Sequence, residues 1–98
     1  MAIRVQESYN KFVDINKAFG VIPAAFELLV DLGVSYKYQR VLVLNGTDSD
    51  IILKFGSSEM LIKTNISISL DAFLVQKEIS YKYVSGAPTS GDFKLVIW

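Results

Sequence analysis

Apolar positions along this chain recur with period two in short runs, and turn residues separate the runs. Successive side chains of a strand point to opposite faces, so this alternation marks half-buried strands. Ile51, Leu53 and Phe55 alternate with Ile52 and Lys54. Ile66, Ile68 and Leu70 alternate with Ser67, Ser69 and Asp71, the cleanest such pattern in the chain. Ile79, Tyr81 and Tyr83 alternate with Ser80 and Lys82, and Phe93, Leu95 and Ile97 with Lys94, Val96 and Trp98. Residues 41–44 are apolar on both faces, which suits a central strand, and residues 60–63 form a short one. Turn signals at Gly20, Gly33, Asn45-Gly46, Gly56-Ser57-Ser58, Thr64-Asn65 and Gly86 to Gly91 punctuate these runs. Strands at such spacing predict an all-β sandwich or barrel. Residues 45–50 read as a hairpin loop with Asn-Gly supplying positive φ. Residues 86–91 read as a second hairpin, closing the last two strands.

The first forty residues are less regular. Ile3 and Val5 alternate with Arg4 and Gln6, and Val13 and Ile15 with Asp14 and Asn16. Over 24–32 two periods compete. Phe26, Leu28, Val30 and Leu32 have strand spacing, while Phe26, Leu29, Val30 and Gly33 fit a short helix behind Pro23 with a glycine cap. Strand is preferred because the remainder of the chain is β. The expected architecture is one domain over 1–98, an antiparallel, jelly-roll-like β-sandwich of about seven or eight strands. A short helix near 24–32 stays open, and residues 1–20 are read as an assembly arm.

Composition narrows the chemistry. The chain has 98 residues, with ten Lys+Arg against ten Asp+Glu and neither His nor Cys. Without Cys and His there is no disulfide framework, thiolate zinc site or Ser-His-Asp triad. Zero net charge argues against sequence-independent nucleic-acid binding, which rests on Lys and Arg neutralising phosphates. No run approaches the roughly 18 apolar residues of a membrane-spanning helix, and residues 1–9 carry no signal-peptide pattern. Folding in a cytoplasm is expected. Yet 51% of the residues are hydrophobic. Residues 41–44, 51–55 and 93–98 carry apolar groups on both faces, more than a small sandwich with its large surface covers.

Several clusters deserve a chemical reading. Asn45, Asp48 and Asp50 offer oxygens for Ca²⁺, but their spacing departs from an EF-hand and fits Asx turns better. Tyr36, Tyr38, Tyr81 and Tyr83 could stack sugars or bases; Lys37 and Lys82 fall on the opposite faces, which separates stacking from phosphate contact. Core or protein-interface packing is the preferred account of them. The loop 86–91 leads into a strand instead of a helix, so it makes no phosphate cradle. No catalytic, metal or cofactor residue is assigned. Phe93, Leu95, Val96, Trp98, Tyr81 and Tyr83 are the candidate protein interface, because an apolar strand at a sheet edge is a liability unless a partner covers it.

One resemblance adds to this. Gln39 to Ile51, with its strand, Asn-x-Thr-Asp turn and second strand, is followed by the Ser-rich stretch 66–74. Ile79-Ser80-Tyr81-Lys82-Tyr83, Gly86 to Gly91 and 93–98 complete the pattern. Together these roughly sixty residues resemble small β-sandwich structural proteins of tailed bacteriophage virions. The resemblance implies a non-enzymatic component of head, neck or tail. It would be made in the host cytoplasm and would bind copies of itself and neighbouring virion proteins as a homo-oligomer. It implies no cofactor, no membrane and no specific nucleic acid. The alternative is a carbohydrate- or host-surface-binding module built on the tyrosine pairs.

Overall fold

The computed structural model describes residues 12–33, 36–75 and 78–98, and for 36–39 and 71–75 the backbone alone. Eight strands follow in order: β1 (Val13–Ala18), β2 (Glu27–Asp31), β3 (Tyr36–Asn45), β4 (Ile51–Phe55), β5 (Ser58–Ile62), β6 (Ile66–Val75), β7 (Glu78–Tyr83) and β8 (Asp92–Ile97). They form two four-stranded antiparallel sheets, ordered β1-β8-β3-β6 and β2-β7-β4-β5. The chain switches sheets at every connection but one, and the result is the jelly roll.

The exception is β4 to β5, where Gly56 at φ 61° opens a two-residue loop, as a type II′ hairpin requires. The two hairpins expected at 45–50 and 86–91 are instead corners between the sheets. β3 pairs with β8 and β6, not β4, and β7 pairs with β2 and β4, not β8. Alternation identifies a strand but says nothing of its partner. Asn45 and Gly46 also lack positive φ, because a corner between sheets does not need the tight primed turn.

The region 24–32 resolves as strand β2, preceded by a single 3-10 turn at Phe19–Val21. No helix occupies it. Its inward positions differ from strict alternation: Leu29 and Leu32 are buried, while Leu28 is 53% exposed. A bulge between Leu28 and Val30 inserts Leu29 as the extra residue, and a bulge shifts which side chains face in. Of the expected arm, residues 13–18 are β1, an edge strand of the chain's own sandwich; residues 1–11 lie outside the described residues.

The core lies between the sheets. Val41, Val43, Phe93, Leu95 and Ile97 of the first sheet meet Ile51, Leu53, Phe55, Ile62, Ile79 and Tyr81 of the second, all buried. Each fully buried side chain of this kind contributes about 1.5–3 kcal/mol. Tyr81 and Phe93 pair across the two sheets with ring centroids 6.1 Å apart, tilted by 30°, within the range where aromatic pairs attract. No helix among the described residues is long and apolar enough to cross a membrane.

Candidate functional site

The Asn45–Asp50 corner is a closed hydrogen-bond network. Asn45 is 1% exposed, and such a group must be satisfied internally. Its Nδ2 donates to the carbonyls of Ser49 and Ile62, both at 2.9 Å. Its Oδ1 accepts from Thr47 N–H at 3.0 Å. The Thr47 hydroxyl lies 2.7 Å from Asn45 Oδ1 and 3.0 Å from Ser49 O, and it accepts from Ser49 N–H at 3.2 Å. Ser49 Oγ donates to the Gly86 carbonyl. The corner thus holds β5 and the β7–β8 connection together, well beyond its own loop.

Asp48 and Asp50 extend the network outwards. The Asp48 carboxylate accepts from the Thr89 hydroxyl, from Thr89 N–H at 2.7 Å and from Ser90 N–H at 3.3 Å. The Thr89 hydroxyl bond, then the Thr89 main-chain bond, hold this carboxyl below the usual aspartate range; desolvation opposes them, and the Ser90 main-chain bond adds to the lowering. Asp50 accepts from Thr64 N–H at 3.1 Å. The three oxygen-bearing residues considered for Ca²⁺ therefore serve three different partners. Among the described residues no group of three or more acidic side chains is placed to hold a metal ion.

Gly91 completes the corner. It sits at φ 88°, and a Cβ there would lie 1.9 Å from the Gly46 carbonyl oxygen. Gly46 N–H in turn donates to Asp92 O at 2.8 Å. Two main chains touch at this point, which explains glycine at both positions. A shallow hollow of about 330 Å³ adjoins the corner, lined by Leu44, Asn45, Gly46, Asn65, Ile66 and Ser67. None of these residues is ionisable, so the hollow offers no group for acid–base chemistry.

The six candidate interface residues divide between two environments. Phe93 and Leu95 are fully buried, and Tyr81 is 3% exposed. These three belong to the sandwich core and are not available to a partner. Burial pushes the Tyr81 phenol above its ordinary value, and the Glu27 carboxylate adds to the shift. Tyr83 is half-buried and packs against the same core. Val96 and Trp98 do face outwards, Trp98 with 42% exposure. Alternation separates the odd positions of β8 from the even ones, but Val96 and Trp98 are apolar like Leu95, so it did not say which face a partner would cover. Of the tyrosine platform, Tyr81 is enclosed; the side chains of Tyr36 and Tyr38 lie outside the described residues.

Register shows what surrounds Val96. On the outer face of the first sheet it stands opposite Leu42, and Trp98 stands opposite Arg40, with both main-chain bonds exchanged at 2.8 and 3.0 Å. Leu44 follows Leu42 on that face. Leu42, Leu44, Val96 and Trp98 thus form an apolar stripe on the outside of the sandwich, bordered by Ser67, Ser69 and a Lys94–Asp14 contact at 3.8 Å. The second sheet's outer face is different. Lys54 and Lys82 approach the Phe26 ring to 5.2 and 5.4 Å from its centroid, a double cation–π arrangement. Reasoning from sequence missed it, since β4 and β7 become neighbours only through the topology.

No family model, curated protein or solved structure matches this chain.

Proposed function

We propose that the chain is a structural component of a tailed-phage virion, in head, neck or tail, acting by self-association and by binding neighbouring virion proteins. The observation that carries this reading is the apolar stripe of Leu42, Leu44, Val96 and Trp98 outside the sandwich, a surface that suits coverage by another protein. The sequence resemblance to small virion β-sandwiches points the same way. Jelly rolls serve viral capsids, and they also serve lectins and cupins, so topology alone does not choose among them.

The carbohydrate- or host-surface-binding alternative has lost Tyr81 to the core. It retains Phe26, half-buried beneath two lysines, as an aromatic position on the outer face of the second sheet.

Mass spectrometry of purified particles from a producing culture, combined with sedimentation of the pure chain, tests the proposal. The expected result is the chain in the particle at fixed stoichiometry, and association in solution that grows with concentration. A strict monomer absent from every particle would overturn it.

A further inference from the structure

The sandwich has four sheet edges, and three carry a device against pairing with another chain. β1 turns Lys17 inwards, in the same parity as Val13 and Ile15, opposite Phe93. β2 has its bulge, flanked by Glu27 and Asp31. β5 is five residues long and carries Glu59. Inward charges, bulges and short charged edges are the recognised defences of an edge strand. β6 is ten residues long; Asp71 and the register shifts of its pairing with β3 fall in its second half, while its first half, Ile66-Ser67-Ile68-Ser69-Leu70, has no charge, no proline and no bulge.

Its inward side chains are also incompletely covered. Ile66, Ile68 and Leu70 lie opposite Asn45, Val43 and Val41, which are buried. Yet Ile66 is 44% exposed and Ile68 and Leu70 are only half-buried. Among the described residues no strand pairs with the free side of β6.

The main chain shows which groups are available. Arg40 and Trp98 exchange both of their hydrogen bonds, and Gly46 N–H donates to Asp92 O. The even residues of β3 therefore turn to β8. In an antiparallel ladder successive residues turn alternately to either side, so Val41 and Val43 turn to β6 and engage Leu70 and Ile68. This leaves the main-chain groups of Ser67 and Ser69 directed outwards from the edge.

We propose that β6 is a dimerisation edge, at which the first sheet of one copy continues antiparallel into the first sheet of a second copy. This deepens the self-association reading above and rests on it. The segment is self-complementary about Ile68. A two-fold axis there sets Ile68 against Ile68, Ile66 against Leu70 and Ser67 against Ser69, with no charge among residues 66–70 of either strand to oppose or to direct another partner. An isologous interface needs this kind of palindromic surface. Ser67 and Ser69 become hydrogen-bonded pairs across the axis, and Ile68 a non-hydrogen-bonded pair whose side chains lie closest. The half-exposed inward residues are then covered by their own symmetry mates.

Two variants of the full chain test this, with sedimentation equilibrium as the readout. Ser69→Pro deletes the outward N–H without touching a β3–β6 bond, a substitution that edge strands tolerate. Two inter-chain bonds are lost by symmetry, so the dimer weakens by about 10- to 100-fold, with far-UV circular dichroism unchanged. Ile68→Cys adds the chain's one thiol. Across a non-hydrogen-bonded pair the Cα atoms stand about 4.5 Å apart, inside the range a disulfide spans. Under oxidised glutathione this variant is expected to give a covalent dimer, while Leu61→Cys on β5 gives much less. An oligomer that Ser69→Pro does not weaken and Ile68→Cys does not cross-link would overturn the β6 edge and leave self-association standing. A monomer with no cross-link would overturn both. Should Ser69→Pro fail to fold, the Ile68→Cys cross-link decides alone.

Discussion

Replacing Asn45 with alanine measures how far the two sheets depend on one side chain. Asn45 makes two donations at 2.9 Å and accepts one main-chain N–H at 3.0 Å; its fourth contact, the Thr47 hydroxyl, has one proton for two acceptors. Counting three firm bonds at about 1 kcal/mol net each, and adding at least about 1 kcal/mol for a buried Thr47 N–H without its acceptor, gives a loss of about 4 kcal/mol or more. Domains of this size have roughly 5–15 kcal/mol in total, and each kcal/mol shifts Tm by about 4–8 °C. Asn45→Ala should therefore lower Tm by roughly 15 °C or more. It should lower the urea midpoint with the slope m unchanged, since the folded sandwich persists. Asn45→Asp should be worse at neutral pH, because a charge would face the Ser49 and Ile62 carbonyls. Asn16→Ala, exposed on β1, serves as the control and should change stability by less than about 0.5 kcal/mol. If Asn45→Ala costs under about 1 kcal/mol, the corner does not join the sheets as argued.

Gly91→Ala must move the main chain at Gly46 and should cost at least about 3 kcal/mol or abolish folding. Gly33→Ala, at φ 84° with open space around it, should cost only about 1–2 kcal/mol; equal thermal shifts would refute the close approach. The depressed Asp48 carboxyl means that at acid pH the folded chain binds fewer protons than the unfolded one. The bonds from Thr89 and Ser90 are then fully effective above about pH 4, the ordinary carboxylate range, and are lost as pH falls through the folded-state value. Urea titrations across the acid range should show a flatter pH dependence for Asp48→Asn than for the parent. On the proposed virion role, Leu42→Lys combined with Val96→Lys should block incorporation into particles while leaving the proposed β6 dimer intact, as co-purification and sedimentation would report; normal incorporation would remove the stripe from the proposal.

Strand positions were legible because period two is a local property. Residues 51–55 match β4, and the alternation over 79–83 and 93–98 locates β7 and β8 to within a residue or so. Partners were not legible, since alternation does not encode them: the Asn-Gly at 45–46 resembled a hairpin loop and proved to be a corner whose asparagine is buried. Leu29 was misplaced by a bulge that no single-sequence pattern marks. In β8 alternation set Leu95 and Val96 on opposite faces, but apolar groups on both left open which face is the core and which the outer stripe. The network around Asn45 could have been anticipated in part from the run of Asn, Thr, Asp and Ser, but its reach to Ile62 and Gly86 needed the topology.

That topology also sets when the protein can exist. In each sheet a strand from the last quarter of the chain lies inside: β8 between β1 and β3, β7 between β2 and β4. Neither sheet is continuous until residues 78–97 are available, so a growing chain has its core strands made early and no middle to join them. Contacts so distant in sequence close slowly. During that interval the nascent chain exposes Val41, Val43, Ile51 and Leu53, all destined for the core. The acquisition of structure therefore waits until residues 78–97 have emerged from the ribosome, and until then local protein concentration and chaperone supply govern whether the sandwich closes or aggregates.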